Sequence, residues 1–72
     1  MAERPIRGSF HWRVYCDLVC ALKLHCRGPK ARREAIQMVR LKRDLPKRYV
    51  VSIYSRYISP MRASGLKIKE LF

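Results

Sequence analysis

Pro46-Lys47-Arg48-Tyr49-Val50-Val51-Ser52-Ile53-Tyr54-Ser55-Arg56-Tyr57-Ile58-Ser59-Pro60 is the stretch that decides between an all-helical chain and a mixed one. It is rich in β-branched and aromatic residues, which favours a strand on propensity. A half-buried strand also needs apolar and polar residues to alternate, and here Val50 and Val51 are adjacent, as are Ile53 and Tyr54. Val50, Ile53, Tyr54, Tyr57 and Met61 instead recur at helical period. The spacing predicts a helix over 46–59 that Pro60 ends or kinks, with a strand over 49–58 as the alternative.

Upstream the helical reading is less contested. Pro5 and Gly8 keep residues 1–8 irregular, and Ser9 is suited to cap a helix over 10–26. Its apolar stripe is Trp12, Tyr15, Val19 and Leu22, widened by Leu18. Gly28-Pro29 stops that helix and opens a second, with Pro29 in its first turn, running to about Asp44. Its apolar side is Ala31, Ala35, Met38, Val39 and Leu45, while Arg33, Arg40 and Arg43 lie close together opposite. Glu34 in the first turn and Arg40, Lys42 and Arg43 in the last match the helix dipole.

Short loops between three helices imply an all-α, up-down-up three-helix bundle. Its expected core is Tyr15/Val19/Leu22, Ala35/Met38/Val39 and Val50/Ile53/Tyr57. The chain divides into an irregular arm (1–8), a three-helix domain (9–61) and a short C-terminal tail (62–72). Ser64-Gly65 breaks the chain ahead of a basic, apolar stretch from Leu66 to Phe72.

The chain has 72 residues, 49% of them hydrophobic, with 17 Lys+Arg against five Asp+Glu and a formal charge of +12. A chain this short buries only about 60% of its unfolded surface, which leaves a thin core and no deep, water-excluding pocket. Its apolar and aromatic content sets it apart from a disordered basic tail. Such a chain is expected to lean on a partner rather than act as an isolated monomer. No apolar run approaches the roughly 18 residues of a membrane-spanning helix. Arginine supplies most of the positive charge and forms bidentate bonds to phosphate and carboxylate, so polyanionic partners are natural.

The residues offer little to an enzyme. The five acids are scattered, there is no Gly-rich phosphate loop, and neither Cys16 with His11 nor Cys20 with His25 shares a helical face. No catalytic residue, metal site or cofactor of its own is expected. Cys16, Cys20 and Cys26 do not converge on a helix, and with His11 and His25 they give no zinc-finger spacing. They read as small buried or half-buried side chains in a reducing compartment. The Arg-rich start lacks the serine-rich amphipathic stretch of a cleaved transit peptide.

One reading makes the chain RNA-bound, for instance a peripheral rRNA-binding protein. Arg32, Arg33, Arg40, Lys42, Arg43, Lys47 and Arg48 form a dense basic stretch, and Tyr49, Tyr54 and Tyr57 are candidates to stack on unpaired bases. Another is an amphipathic peptide on a membrane surface, with Trp12 and the Arg/Tyr mix of 47–57 at the interface. Gly28-Pro29, Pro46 and Pro60 would break such a peptide into pieces.

Val14-Tyr15-Cys16-Asp17-Leu18-Val19-Cys20 resembles the opening of the LYR family of small basic mitochondrial proteins, in which a Leu-Tyr-Arg triplet lies on the first helix. A basic Gly/Pro turn from Arg27 to Lys30, Val39-Arg40 in place of the family's Phe-Arg, and Leu45-Pro46-Lys47-Arg48 before a Tyr-rich third helix agree with it. The last stretch is most similar to the succinate dehydrogenase assembly factor type. Cys16 and Cys20 stand where the family commonly has arginines. The resemblance, over roughly residues 12–64, implies a non-catalytic adaptor or accessory subunit of a respiratory complex or its assembly machinery. It implies the mitochondrial matrix, or the matrix face of the inner membrane, and a partner such as acyl carrier protein carrying an acyl-phosphopantetheine chain. Tyr15 is the motif residue that carries over to partner contact, and on charge an acidic partner would meet Arg33, Arg40, Arg43 and Lys47. A mitochondrial ribosomal subunit would unite this reading with the RNA one.

Overall fold

The computed structural model describes residues 4–25 and 28–71, so Cys26 and Arg27 lie outside the described residues. Ser9 caps the first helix, α1 (Phe10–Leu24), its Oγ accepting from the Trp12 amide at 3.1 Å. The second helix, α2 (Ala31–Arg43), begins two residues after Pro29. A third helical rod has three consecutive parts: α3 (Lys47–Ile53), a π-helical turn (Tyr54–Ile58) and α4 (Ser59–Ala63). A short 3₁₀ turn, Ile68–Glu70, follows. No strand occurs among the described residues, and the chain is an all-α three-helix bundle.

Side-chain contacts fix the directions of the rods. His25 at the end of α1 meets Glu34 near the start of α2, and Asp17 in mid-α1 meets Arg43 at the end of α2, so the two helices are antiparallel. Along α1 and the third rod the contacts run in the same order. Phe10 packs on Tyr49, and Tyr15 packs on Tyr57. The arrangement is therefore up-down-up.

The core contains the expected stripes except Met38, and it extends beyond them to Val14, Ala21, Ile58 and Leu71, while Trp12 is only partly buried. Tyr15, Leu18, Val19 and Leu22 of α1, Ala35 and Val39 of α2, and Val50, Ile53, Tyr54, Tyr57, Ile58 and Met61 of the third rod are buried together. Ile36, rather than Met38, completes the α2 face, and Met38 is 39% exposed. The apolar face of α2 is centred on 35, 36 and 39, and Met38 sits one step around the helix toward α1.

Pro60 does not end the third rod. A proline lacks the amide donor and crowds the preceding turn. The wider π turn just before it, closed by the Ser59 amide on the Tyr54 carbonyl, relieves that crowding, and helix continues to Ala63. Gly65, at φ +91°, then reverses the chain, with the Leu66 amide bonded to the Met61 carbonyl at 3.1 Å.

The stretch read as a tail packs back onto the bundle. Leu66 and Ile68 are half-buried against the core and Leu71 is wholly buried. The Tyr15 hydroxyl donates to the Leu71 carbonyl. From the N-terminal arm, Arg4 Nε donates to the same carbonyl at 3.2 Å and Arg4 Nη2 to the Glu70 carbonyl at 3.0 Å. The two ends of the chain are thus clasped over Tyr15.

Candidate functional site

Of the cations grouped by sequence, five fall into two sets, and Arg40 and Arg48 stand apart. Arg43 turns toward α1, where it pairs with Asp17 and lies 5.9 Å from the Phe10 ring centre, and Lys42 Nζ is 3.5 Å from the same carboxylate. The Asp17 side chain is only 15% exposed, so the Arg43 contact joins the helices in a setting where a charge-assisted bond counts. The exposed Lys42 adds little. Arg43 therefore sits in the α1–α2 seam, engaged with Asp17, rather than on an open face.

Arg32, Arg33 and Lys47 form the second set. With Pro29, Gln37 and the apolar Ile36 and Val51 they line a cleft of about 570 Å³ between α2 and α3. Among the described residues, no acidic one lines it. Arg32 lies over the Tyr54 ring at 5.1 Å, which restricts the guanidinium before any ligand arrives. Arg40 is half-buried and donates to Gln37 Oε1 at 3.3 Å, while Arg48 is exposed.

Tyr15 is wholly buried in the clasp described above, so it presents no surface to a partner in this conformation. Burial pushes its phenol above the ordinary value, and the nearby Arg4 guanidinium works in the opposite direction. Tyr54 and Tyr57 are buried and Tyr49 is half-buried, so packing already uses the faces that would stack on bases.

A feature the expected stripes do not account for in full is an apolar groove of about 410 Å³ between α1 and α2. Cys20, Ala21, Leu24, Met38, Val39 and Leu41 line it, with Asp17 and Lys42 at its polar edge. Leu24 is 73% exposed and Leu41 70%. The sequence carries a signal for part of this groove: Cys20/Leu24 and Leu41 add apolar positions at helical spacing beside the expected stripes, and Met38 turns to it from the expected α2 stripe.

The cysteines differ from one another. Cys16 is half-buried and Cys20 exposed, so the expectation of a covered side chain fails for Cys20. Cys16 has its thiol pushed up first by burial and then by Cys20 and Asp17, which makes it a poor nucleophile at neutral pH. His25 is half-buried rather than free, with Nδ1 2.7 Å from Glu34 Oε2 and Nε2 2.9 Å from Met38 Sδ.

Fold and site together define a small basic three-helix protein with an apolar groove on one side and a cationic cleft on another. Comparison with protein-family models, curated proteins and solved structures finds no match for the chain.

Proposed function

We propose that the chain is a non-catalytic adaptor, an accessory or assembly component that holds an acidic protein against a larger complex. The observation that carries this reading is the open groove between α1 and α2. Leu24 and Leu41 stand mostly exposed there, on a molecule of charge +12. A contiguous exposed apolar surface on a small protein marks an interaction site. The surrounding positive charge selects acidic partners and speeds their encounter more than it deepens affinity.

The resemblance to the LYR family supports acyl carrier protein as that partner and the mitochondrial matrix, or the matrix face of the inner membrane, as the place. An acyl chain brought by such a partner has an apolar track already open along Cys20, Ala21, Leu24, Met38 and Leu41. On this reading Arg33, Arg40 and Lys47 meet the partner's carboxylates.

Native mass spectrometry of the protein affinity-purified from its own cells, with and without RNase, tests the reading. The expected result is a small acidic protein bearing an acyl-phosphopantetheine mass, resistant to RNase and lost in an Arg33→Glu/Arg40→Glu variant of unchanged helicity. Arg43 is left intact because reversing it would also break the Asp17 link. Associated mass that vanishes with RNase overturns the adaptor reading in favour of an RNA-bound component.

A further inference from the structure

The cleft between α2 and α3 differs in kind from the apolar groove. Its cations come from two elements, Arg32 and Arg33 from α2 and Lys47 from the first turn of α3, and they face a common space. Two of the chain's acids are committed elsewhere: Asp17 to Arg43 and Lys42, and Glu34 to His25. The lining of the cleft is thus positive among the described residues, with Glu34 bordering Arg33 on its far side, in a neighbouring pocket. Arg32 is held over Tyr54, so little side-chain freedom is lost there when it binds a ligand.

We propose that this cleft is a binding site for a diphosphate group on a small organic molecule, of the nucleoside-diphosphate type. Three cations match the roughly threefold negative charge of a diphosphate better than they match one carboxylate. Planar guanidinium groups bond phosphate oxygens in pairs, and an ammonium adds a mobile point charge. The volume, about 570 Å³, exceeds what a lone phosphate fills and lies in the range of small-molecule sites. Pro29, Ile36 and Val51 give the non-phosphate portion an apolar wall, and the Gln37 amide offers it both a donor and an acceptor. This inference goes beyond the adaptor reading and does not rest on it, since binding is measured on the chain alone.

Calorimetric titration of the purified full chain at about 0.15 M salt, where long-range attraction is screened, tests it. The probes are pyrophosphate and ADP, with a hexaglutamate peptide and a short single-stranded RNA as competing chemistries. Saturable 1:1 binding of pyrophosphate and ADP is expected, at least about tenfold tighter than the peptide. Arg33→Gln/Lys47→Gln should weaken it by about tenfold or more, while Arg33→Lys retains part of it. Arg62→Gln/Lys67→Gln removes the same charge away from the cleft and should leave affinity within about twofold, because screened distant charges contribute little. Equal losses in the two double variants overturn the site and leave only bulk charge. Non-saturating heats, or RNA binding without pyrophosphate binding, overturn it as well.

Discussion

Burying a phenol hydroxyl favours a fold only when the hydroxyl finds an acceptor. Tyr15 finds the Leu71 carbonyl, 56 positions away in the chain, and Met61 Sδ lies 3.4 Å from the Tyr15 hydroxyl oxygen. Its burial was legible from the spacing of Trp12, Tyr15, Val19 and Leu22; its acceptor was not, because no local pattern encodes a partner at that separation. The Asp17–Arg43 pair hid for the same reason, and so a seam residue was grouped with the open cations. The clasp carries a pH signature. Burial raises the folded-state value of the phenol above its unfolded value near 10, so the neutral form is favoured in the fold. That contribution is complete below pH ~10 and is lost as pH rises through the folded value. Tyr15→Phe should cost about 1 kcal/mol at neutral pH. Between about pH 9 and 11 its urea midpoint should fall less than that of the parent, because the variant has no phenol there to ionise. Parallel pH profiles for the two proteins would show that the Tyr15 hydroxyl is not held in the clasp.

Each helix here is terminated by geometry as much as by composition. The Asp44-Leu45-Pro46 break was legible as punctuation, but the way it closes α2 depends on backbone angles. Asp44 sits at φ 52° and ψ 49°, and the Leu45 amide bonds back to the Arg40 carbonyl at 3.1 Å. This is the left-handed closure that glycine adopts most readily, and an L-residue held there is strained. An aspartate also adds negative charge beside the negative end of the helix dipole. Asp44→Gly should therefore raise stability by about 0.5–1 kcal/mol, read as a higher urea midpoint at unchanged slope, even after the looser unfolded chain is counted. A lower midpoint would mean that the aspartate side chain supplies a bond outweighing its strain. The third rod shows the converse case. Its helical state was legible from missing alternation and from the 50/53/54/57/61 stripe, because core packing overrides β-propensity. Its continuation past Pro60 was not, since a proline accommodated by a wider turn and a proline that ends a helix look alike in sequence.

At the scale of the whole molecule, charge and size set opposing demands. A chain of charge +12 is folded into extents of 30 × 29 × 17 Å. The Debye length is about 30 Å at 0.01 M salt and about 3 Å at 1 M. In dilute buffer every cation therefore acts across the full width of the bundle, and in concentrated salt almost none does. The described ion pairs are too few to offset that repulsion: Asp17 joins Arg43 and Lys42, and Glu34 lies against the His25 ring. The charge excess was legible from composition, but its division between a seam and a cationic cleft was not, since that depends on how α2 is rotated in the bundle. Raising NaCl from about 0.02 to 0.5 M should accordingly stabilise the isolated chain, because screening relieves the compact state more than the expanded one. At this size a gain of about 1 kcal/mol appears as a rise of about 4–8 °C in melting temperature. On the adaptor reading, association with an acidic partner should weaken over the same range, because the same cations would attract it. A melting temperature that falls with NaCl would mean the few internal ion pairs outweigh the surface excess. The exposed cations would then need no partner to account for their stability.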